Sequence, residues 1–351
     1  VIGLSLPEPG APFGWSVAAG EITAALQELT DVKVITNDDF PVWIYQMPVL
    51  HAIQGPNFLP LRPGVESAVR DIGYLFIEDT TLARRYVVNA ARHFNHLVTG
   101  SSWCTQEMTA IFGEIGIPVT TAIQGIGWRF FEIPQRGSDD KFIVFSGGKA
   151  EFRKGQDIAI RAMRIFMHRH NDVWLNTAWH NPWGAKIPGY AEIVEASKRL
   201  DPARVIGSKF ESVPHKFMQY HYSSADIGLF PNRCEAGTNL VMMELMACGR
   251  PVIATYATGH KDVLDKGSYF NLIQSKPLTV RGPDGLVIGE WVEPDLDEIL
   301  ATLEFAYHNR DEARRQGEAN RARMRQFTWE ACAREFLKVL EPERLALDVR
   351  L

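Results

Sequence analysis

Short runs of β-branched and aromatic residues alternate with helix-length stretches along almost the whole chain. No other feature constrains the fold as strongly. Candidate strands lie at 1–6, 32–36, 49–54, 72–77, 96–99 and 119–124. After a polar joint at 134–140 the series restarts at 142–146, 173–177, 225–230, 252–256 and 268–273. Strands separated by helices form βαβ units and parallel sheets. Two such series predict an α/β fold of two Rossmann-like, doubly wound domains, and a length of 351 residues fits two domains.

Composition excludes several classes of protein. Hydrophobic residues are 46% and charged residues 23%, the globular range, which excludes disordered and collagen-like chains. A formal net charge of −5 excludes a protein built to coat nucleic acid. Residues 1–138 hold 8 basic and 13 acidic side chains and the remainder holds 29 of each, so the first domain is the acidic one. Cys104, Cys234, Cys248 and Cys332 form no C-x-x-C pair, which excludes a zinc ribbon and points to free thiols in a reducing compartment. No basic-then-apolar leader opens the sequence and no window approaches 18 apolar residues, so a cytoplasmic location is expected.

Two loops depart from the background pattern. In the first, the strand from Phe142 runs into Gly147 and Gly148, then Lys149, Arg153, Lys154 and Gly155, before a helix from about Gln156 to His168. Positive charge beside a helix N-terminus suits an anion. The spacing is not that of a P-loop, and by local pattern alone a solvated basic turn fits equally well. In the second, the strand ending at Phe230 leads through Glu235, Gly237 and Thr238 into an apolar helix at about 239–248, closed by Gly249 and Pro251. Thr238 is the expected N-cap, leaving the amides of Asn239, Leu240 and Val241 free to face an anion. Glu244 lies in the apolar helix, where a carboxylate needs strong partners. Substrate hydroxyls, an arginine or a backbone amide would each serve.

A third loop, Gly10 to Gly20 with Gly14 and Trp15, follows the first strand, a ligand position in open α/β sheets. His260 follows a later strand and reads as structural. His168, His170, His215 and His221 do not read as a metal set. The arginines of 81–93 leave peripheral contact with a membrane open, although a solvated helix face fits better with that domain's net charge.

Read together, these residues resemble the retaining glycosyltransferases of family four, which have the GT-B fold. The likeness rests on Gly148-Lys149…Lys154-Gly155 and on Glu235…Glu244-Leu-Met-Ala-Cys-Gly-Arg-Pro-Val252. Phe327-Thr-Trp-Glu330 resembles the start of that family's last helix, and 97–102 and 124–126 its later first-domain strands. The resemblance implies two domains facing a central cleft: an acceptor-side domain at 1–138, a nucleotide-sugar domain at 139–328 and a helical segment at 329–351 crossing back. It also implies transfer of a sugar from a UDP- or GDP-sugar to an acceptor hydroxyl with retention at the anomeric carbon. No cofactor or metal is implied, because the basic loop replaces the cation.

The same resemblance assigns roles. Lys149 and Lys154 would hold the diphosphate, with Gly148 shaping their loop. Glu235 would contact the transferred sugar and Glu244 the ribose. Thr238, Asn239 and Leu240 would give amides to the distal phosphate, approached by Gly14 from across the cleft, with Gly237 and Trp15 as further substrate-binding positions. Glu235 and Glu244 are separated by eight residues where the family usually has seven, which reads as one extra loop residue. Many members carry a first-domain histidine facing the sugar. Here the matching strand end holds Glu78 and Asp79, with His51 another cleft candidate. The expected partners are a nucleotide-sugar and a small-molecule, glycan or glycolipid acceptor. A non-catalytic nucleotide-sugar-binding protein and a nucleotide-sugar epimerase are the alternatives.

Overall fold

The structure, a computed structural model, describes residues 1–10, 14–36, 43–137, 140–282 and 284–343. The boundary expected at 138/139, positions 11–13 of the first glycine loop and positions 344–351 lie outside the described residues.

The first sheet contains β1 (Ile2–Ser5) and β2 (Val32–Val34) with α1 (Gly14–Gln27) between them. A small pair, β3 (Trp43–Tyr45) and β6 (Val65–Ser67), flanks it. Between these two lie β4 (Val49–Gln54) and β5 (Leu59–Pro60), and after them come β7 (Asp71–Leu75), α2 (Thr80–Arg85), α3 (Val87–His93), β8 (His96–Thr99), α4 (Ser102–Phe112) and β9 (Val119–Thr121). Strand order is β2-β1-β4-β7-β8-β9, all parallel, with β5 antiparallel on β4. One face packs Ala18, Ile22 and Leu26 of α1 against Leu4 and Tyr74. The other packs Met108 and Phe112 of α4 against Leu75 and Leu97.

The second sheet repeats the plan. Its first half holds β10 (Phe142–Lys149), α5 (Gln156–Arg169), β11 (Val173–His180), α6 (Tyr190–Ser197) and β12 (Val205–Lys209). Its second half holds α7 (Met218–Ser224), β13 (Ile227–Phe230), α8 (Leu240–Ala247), β14 (Val252–Thr255) and β15 (Asn271–Leu272). The order β12-β11-β10-β13-β14-β15 is wholly parallel. Strand β10 is central and buried on both faces, which is why it reads as a continuous apolar run. Strand β12 and an antiparallel hairpin, β16 (Lys276–Arg281) with β17 (Val287–Glu293), are additions to the strands read from the sequence.

Among the described residues three helices follow: α9 (Leu296–His308), α10 (Arg310–Met324) and α11 (Trp329–Leu340). Trp329, Cys332, Ala333, Phe336, Leu337 and Leu340 recur at helical spacing, and this stripe is buried in the first domain's core beside α1. The chain thus returns to the domain in which it began. The two crossings run side by side, the Ile126 amide donating to the Phe327 carbonyl at 2.9 Å. All four cysteines are buried, unpaired thiols. Among the described residues no helix is long and apolar enough to cross a membrane.

Candidate active site

Ligands in doubly wound sheets bind where the strand order reverses, beyond the carboxyl ends of the strands. In the second sheet that point lies between β10 and β13, with β11 and β12 on one side and β14 and β15 on the other. Both distinctive loops leave from there, so segments about eighty residues apart in sequence meet. The Arg153 carbonyl accepts the Arg233 amide at 2.7 Å, and a Cβ on Gly155 would fall 2.0 Å from the Pro231 carbonyl oxygen. Gly155 is also left-handed, at φ +70°, so no side chain fits there.

Six charged side chains form one network at this point. Lys154 pairs with Glu235, whose other oxygen lies 3.2 Å from Arg153 Nη1. Asn232 Nδ2 donates to Glu235 Oε2 at 2.9 Å. Arg153 Nη2 meets Glu151 at 2.7 Å, and Lys149 Nζ lies 3.1 Å from the other Glu151 oxygen. From the first domain, Glu78 Oε1 reaches Arg153 Nη1 at 3.1 Å. Burial by itself would raise the Glu235 carboxyl. The cations Lys154 and Arg153 outweigh it and hold the group down to about 2. Burial pulls the Lys154 ammonium down while the Glu235 charge opposes it. Glu78 moves the other way, raised by burial with Arg153 opposing.

The backbone around Glu235 is held in unusual conformations. Thr258 and Asn239 take φ of +46° and +66°, rare for a side chain that is not glycine and most of all for a β-branched one. Thr258 Oγ1 accepts the Glu235 amide at 3.0 Å, and the Gly259 amide donates to the Glu235 carbonyl at 2.9 Å. Strain of this kind persists where the surroundings over-determine it. His260 is buried beside this loop. Its Nδ1 lies 3.1 Å from the Thr255 carbonyl and its Nε2 3.4 Å from Asn239 Nδ2. Burial pulls the imidazole down to about 4, against the pull of Glu235.

The cap of α8 requires a correction. Asn239, not Thr238, is the N-cap: its side chain accepts the Met242 amide, while the Thr238 hydroxyl turns to the Met243 sulfur. Leu240 then opens the helix and packs against the first domain's core. Glu244 is buried and faces α7. Its two oxygens accept His215 Nε2 and the Tyr222 hydroxyl, each at 2.6 Å, so a histidine and a phenol hold it rather than an arginine or an amide.

The first domain closes over the second. Ser101 Oγ donates to the Ala236 carbonyl at 2.6 Å, and the Ser102 amide to Asp262 at 2.6 Å. Phe76 packs beside Gly237, and Trp15 meets Phe76 edge-on with ring centroids 5.2 Å apart. Gly14 opens α1 immediately before Trp15, and Gly148, at φ +113°, bends the end of β10. Asp79 caps α2 through the Leu82 amide. His51 departs from the expected cleft position. It is buried inside the first sheet, 2.7 Å from Asp71 and edge-on to Phe94, and makes no contact with the charged network. Glu151 and Arg153 belong to the network, although Arg153 had been read only as part of the loop's positive charge and Glu151 had no role. Their signal was their place between Lys149 and Lys154.

Two doubly wound domains facing a cleft, with the last helix returned to the first domain, define the GT-B architecture. Residues 140–280 match the family model described as glycosyl transferases group 1. Over 108 residues the chain is 28% identical to the probable sucrose-phosphate synthase of Thermosipho melanesiensis, covering 31% of this chain and 20% of that protein. The chain therefore spans about a fifth of the curated relative it matches. Sucrose-phosphate synthase from Thermosynechococcus elongatus superposes with a TM-score of 0.66 at 14% identity, over 98% of this chain and 99% of that one. HepE from Anabaena, solved with UDP and glucose, gives 0.65 at 14% identity over 97% and 98%. The UDP-forming trehalose-phosphate synthase of Burkholderia vietnamiensis gives 0.61 at 12% identity over 94% and 78%. At these identities the superpositions establish the fold.

Proposed function

We propose that this chain is a retaining glycosyltransferase using a UDP- or GDP-sugar and needing no metal. The observation that carries the reading is the buried Lys154–Glu235 pair, set between the two loops at the switch point with Arg153 and Lys149 beside it. Three cations gathered there do the work a divalent ion would otherwise do, neutralising a departing diphosphate. Lys149 is the most accessible of them, its side chain 31% exposed, so exchanging Glu151 for a phosphate costs it least. The Leu240 and Val241 amides at the start of α8 supply a further positive end.

In this reading the bond from the sugar's anomeric carbon to the diphosphate oxygen breaks as the acceptor oxygen bonds to the same face. The acceptor proton passes to the departing phosphate oxygen, and the excess negative charge is met by Lys149, Arg153 and Lys154. Glu235, held ionised, accepts hydrogen bonds from the sugar hydroxyls. Glu244 accepts hydrogen bonds from the ribose hydroxyls in place of His215, whose side chain is 24% exposed. Glu78 serves from the first domain by orienting Arg153. Titrating UDP, GDP and their sugar conjugates calorimetrically, with release of free sugar followed in parallel, tests the reading. Binding of one diphosphate series with slow hydrolysis is expected. No binding of either series ends it.

A further inference from the structure

The hairpin β16–β17 lies outside both sheets, yet it is fastened to the site. Leu278 stands opposite Trp291 in register, and Trp291 Nε1 donates to the Glu78 carbonyl at 3.2 Å. Arg233 holds the strand from below, bonded to Glu293 on β17 and by two contacts of 2.7 Å to Asp157 on α5. The hairpin thereby roofs a cavity of about 1080 Å³, at the large end of small-molecule sites. Phe152 and Ile187 floor it, Leu82 of α2 walls it from the first domain, and Leu278, Leu286 and Ile288 cover it. Its interior is mostly hydrocarbon. Its lining also carries Asp79, Asp157, Glu192 and Asp284 beside Arg85 and Arg281, charges of both signs around the apolar surface. Glu151 and Arg153, two members of the charged network, belong to the lining as well.

An apolar chamber of this size, built by both domains and opening onto the reactive cluster, is suited to hydrocarbon attached to a polar head. We propose that it takes the apolar portion of the acceptor, an alkyl or aryl group, and so presents the acceptor's hydroxyl-bearing head toward Arg153 and Glu151. The proposal rests on the sugar-transfer reading for the word acceptor; the cavity's preference for hydrocarbon does not. Continuity favours this occupant, because Glu151 and Arg153 line the chamber and belong to the network as well.

The test is calorimetric titration of the full chain with butyl, hexyl and octyl glucosides below their micellar concentrations. Affinity is expected to rise up to about fourfold per added methylene. The slope is expected to flatten in Leu286→Asp, whose side chain is 43% exposed, and in Ile187→Asp on the facing wall, with thermal unfolding reporting that each variant is folded. Flattening in either folded variant supports the cavity. Affinity independent of chain length, or a slope unchanged in both variants, overturns it. UDP titrated into the native protein separates the two readings. UDP bound with no chain-length slope removes the cavity alone, and a slope without UDP binding removes sugar transfer alone.

Discussion

Arg153 of the second domain meets Glu78 of the first at 3.1 Å, so the cationic loop is tied across the cleft by a charge pair. Arg153 also faces Glu151 and Glu235, and these carboxylates keep it protonated despite its burial. Glu78→Gln is expected to loosen domain closure and enlarge the radius of gyration measured by X-ray scattering. An unchanged radius would assign closure to the Ser101 and Ser102 contacts instead. Arg153→Met, which leaves three carboxylates short of a partner, is expected to cost about 3 kcal/mol in denaturant unfolding.

Lys154→Ala is expected to weaken UDP about tenfold or more while leaving uridine nearly unaffected, because hydrogen bonds to charged groups contribute about 1.5–3 kcal/mol. Parallel titrations check this. Equal losses for the two ligands would remove Lys154 from the diphosphate site.

Glu244→Ala should show the opposite selectivity, weakening UDP but not pyrophosphate. It also strips partners from His215 and the buried Tyr222 hydroxyl, so a stability loss of about 2 kcal/mol is expected. Affinity for pyrophosphate falling in step with UDP would contradict the ribose role.

The pH dependence of stability should carry a mark of His260. Its folded value is about 4 against an ordinary 6.5. Between those values the unfolded chain binds more protons, so stability is complete above pH 6.5 and falls as pH drops toward 4, by about 3 kcal/mol in all. His260→Gln should flatten that interval in urea titrations at stepped pH. Glu235, held at about 2 against 4.5, adds a second loss lower down, from about pH 4.5 toward 2.

Gly259→Ala tests the held loop. The added methyl would stand 1.7 Å from the Gly237 carbonyl oxygen, so the 235–237 backbone must move. A loss of turnover larger than the loss of stability is expected, read from kcat beside Tm. A variant with native kcat would show that this backbone position is not critical.

Much of the architecture was legible in local pattern. Parallel strands buried on both faces leave uninterrupted apolar runs, and β10 and β13 stand out for that reason. The aromatic-and-alanine stripe of α11 announces a helix that needs a partner, although not which domain supplies it. Strand β12 was missed because it is short and interrupted by Gly207, and the hairpin because its exposed, mixed-polarity strands lie outside the βαβ rhythm.

Within the site, the resemblance to a known family singled out Lys149, Lys154, Glu235 and Glu244, where the local pattern alone fitted a solvated basic turn or a structurally held carboxylate equally well. Pairing was a different matter. Thr238 and Asn239 are both good caps, and only the left-handed backbone at 239 turned the choice. Glu244 could have met any of several donors until α7 and the turn before it brought Tyr222 and His215 against it. His51 looked as open to the cleft as Glu78 until the sheet register set it opposite Gly73, with its imidazole 2.7 Å from Asp71.

The chain's local order of apolar runs, glycines and charges determined two doubly wound domains and the loops that carry their chemistry, because periodicity and turn geometry act over a few residues. Which charges neutralise one another, which carboxylate crosses the cleft and where an apolar chamber opens were decided by contacts between segments tens to hundreds of residues apart. Those contacts depend on distance and burial in three dimensions, and Coulomb and desolvation energies answer to position in space rather than to place along the chain.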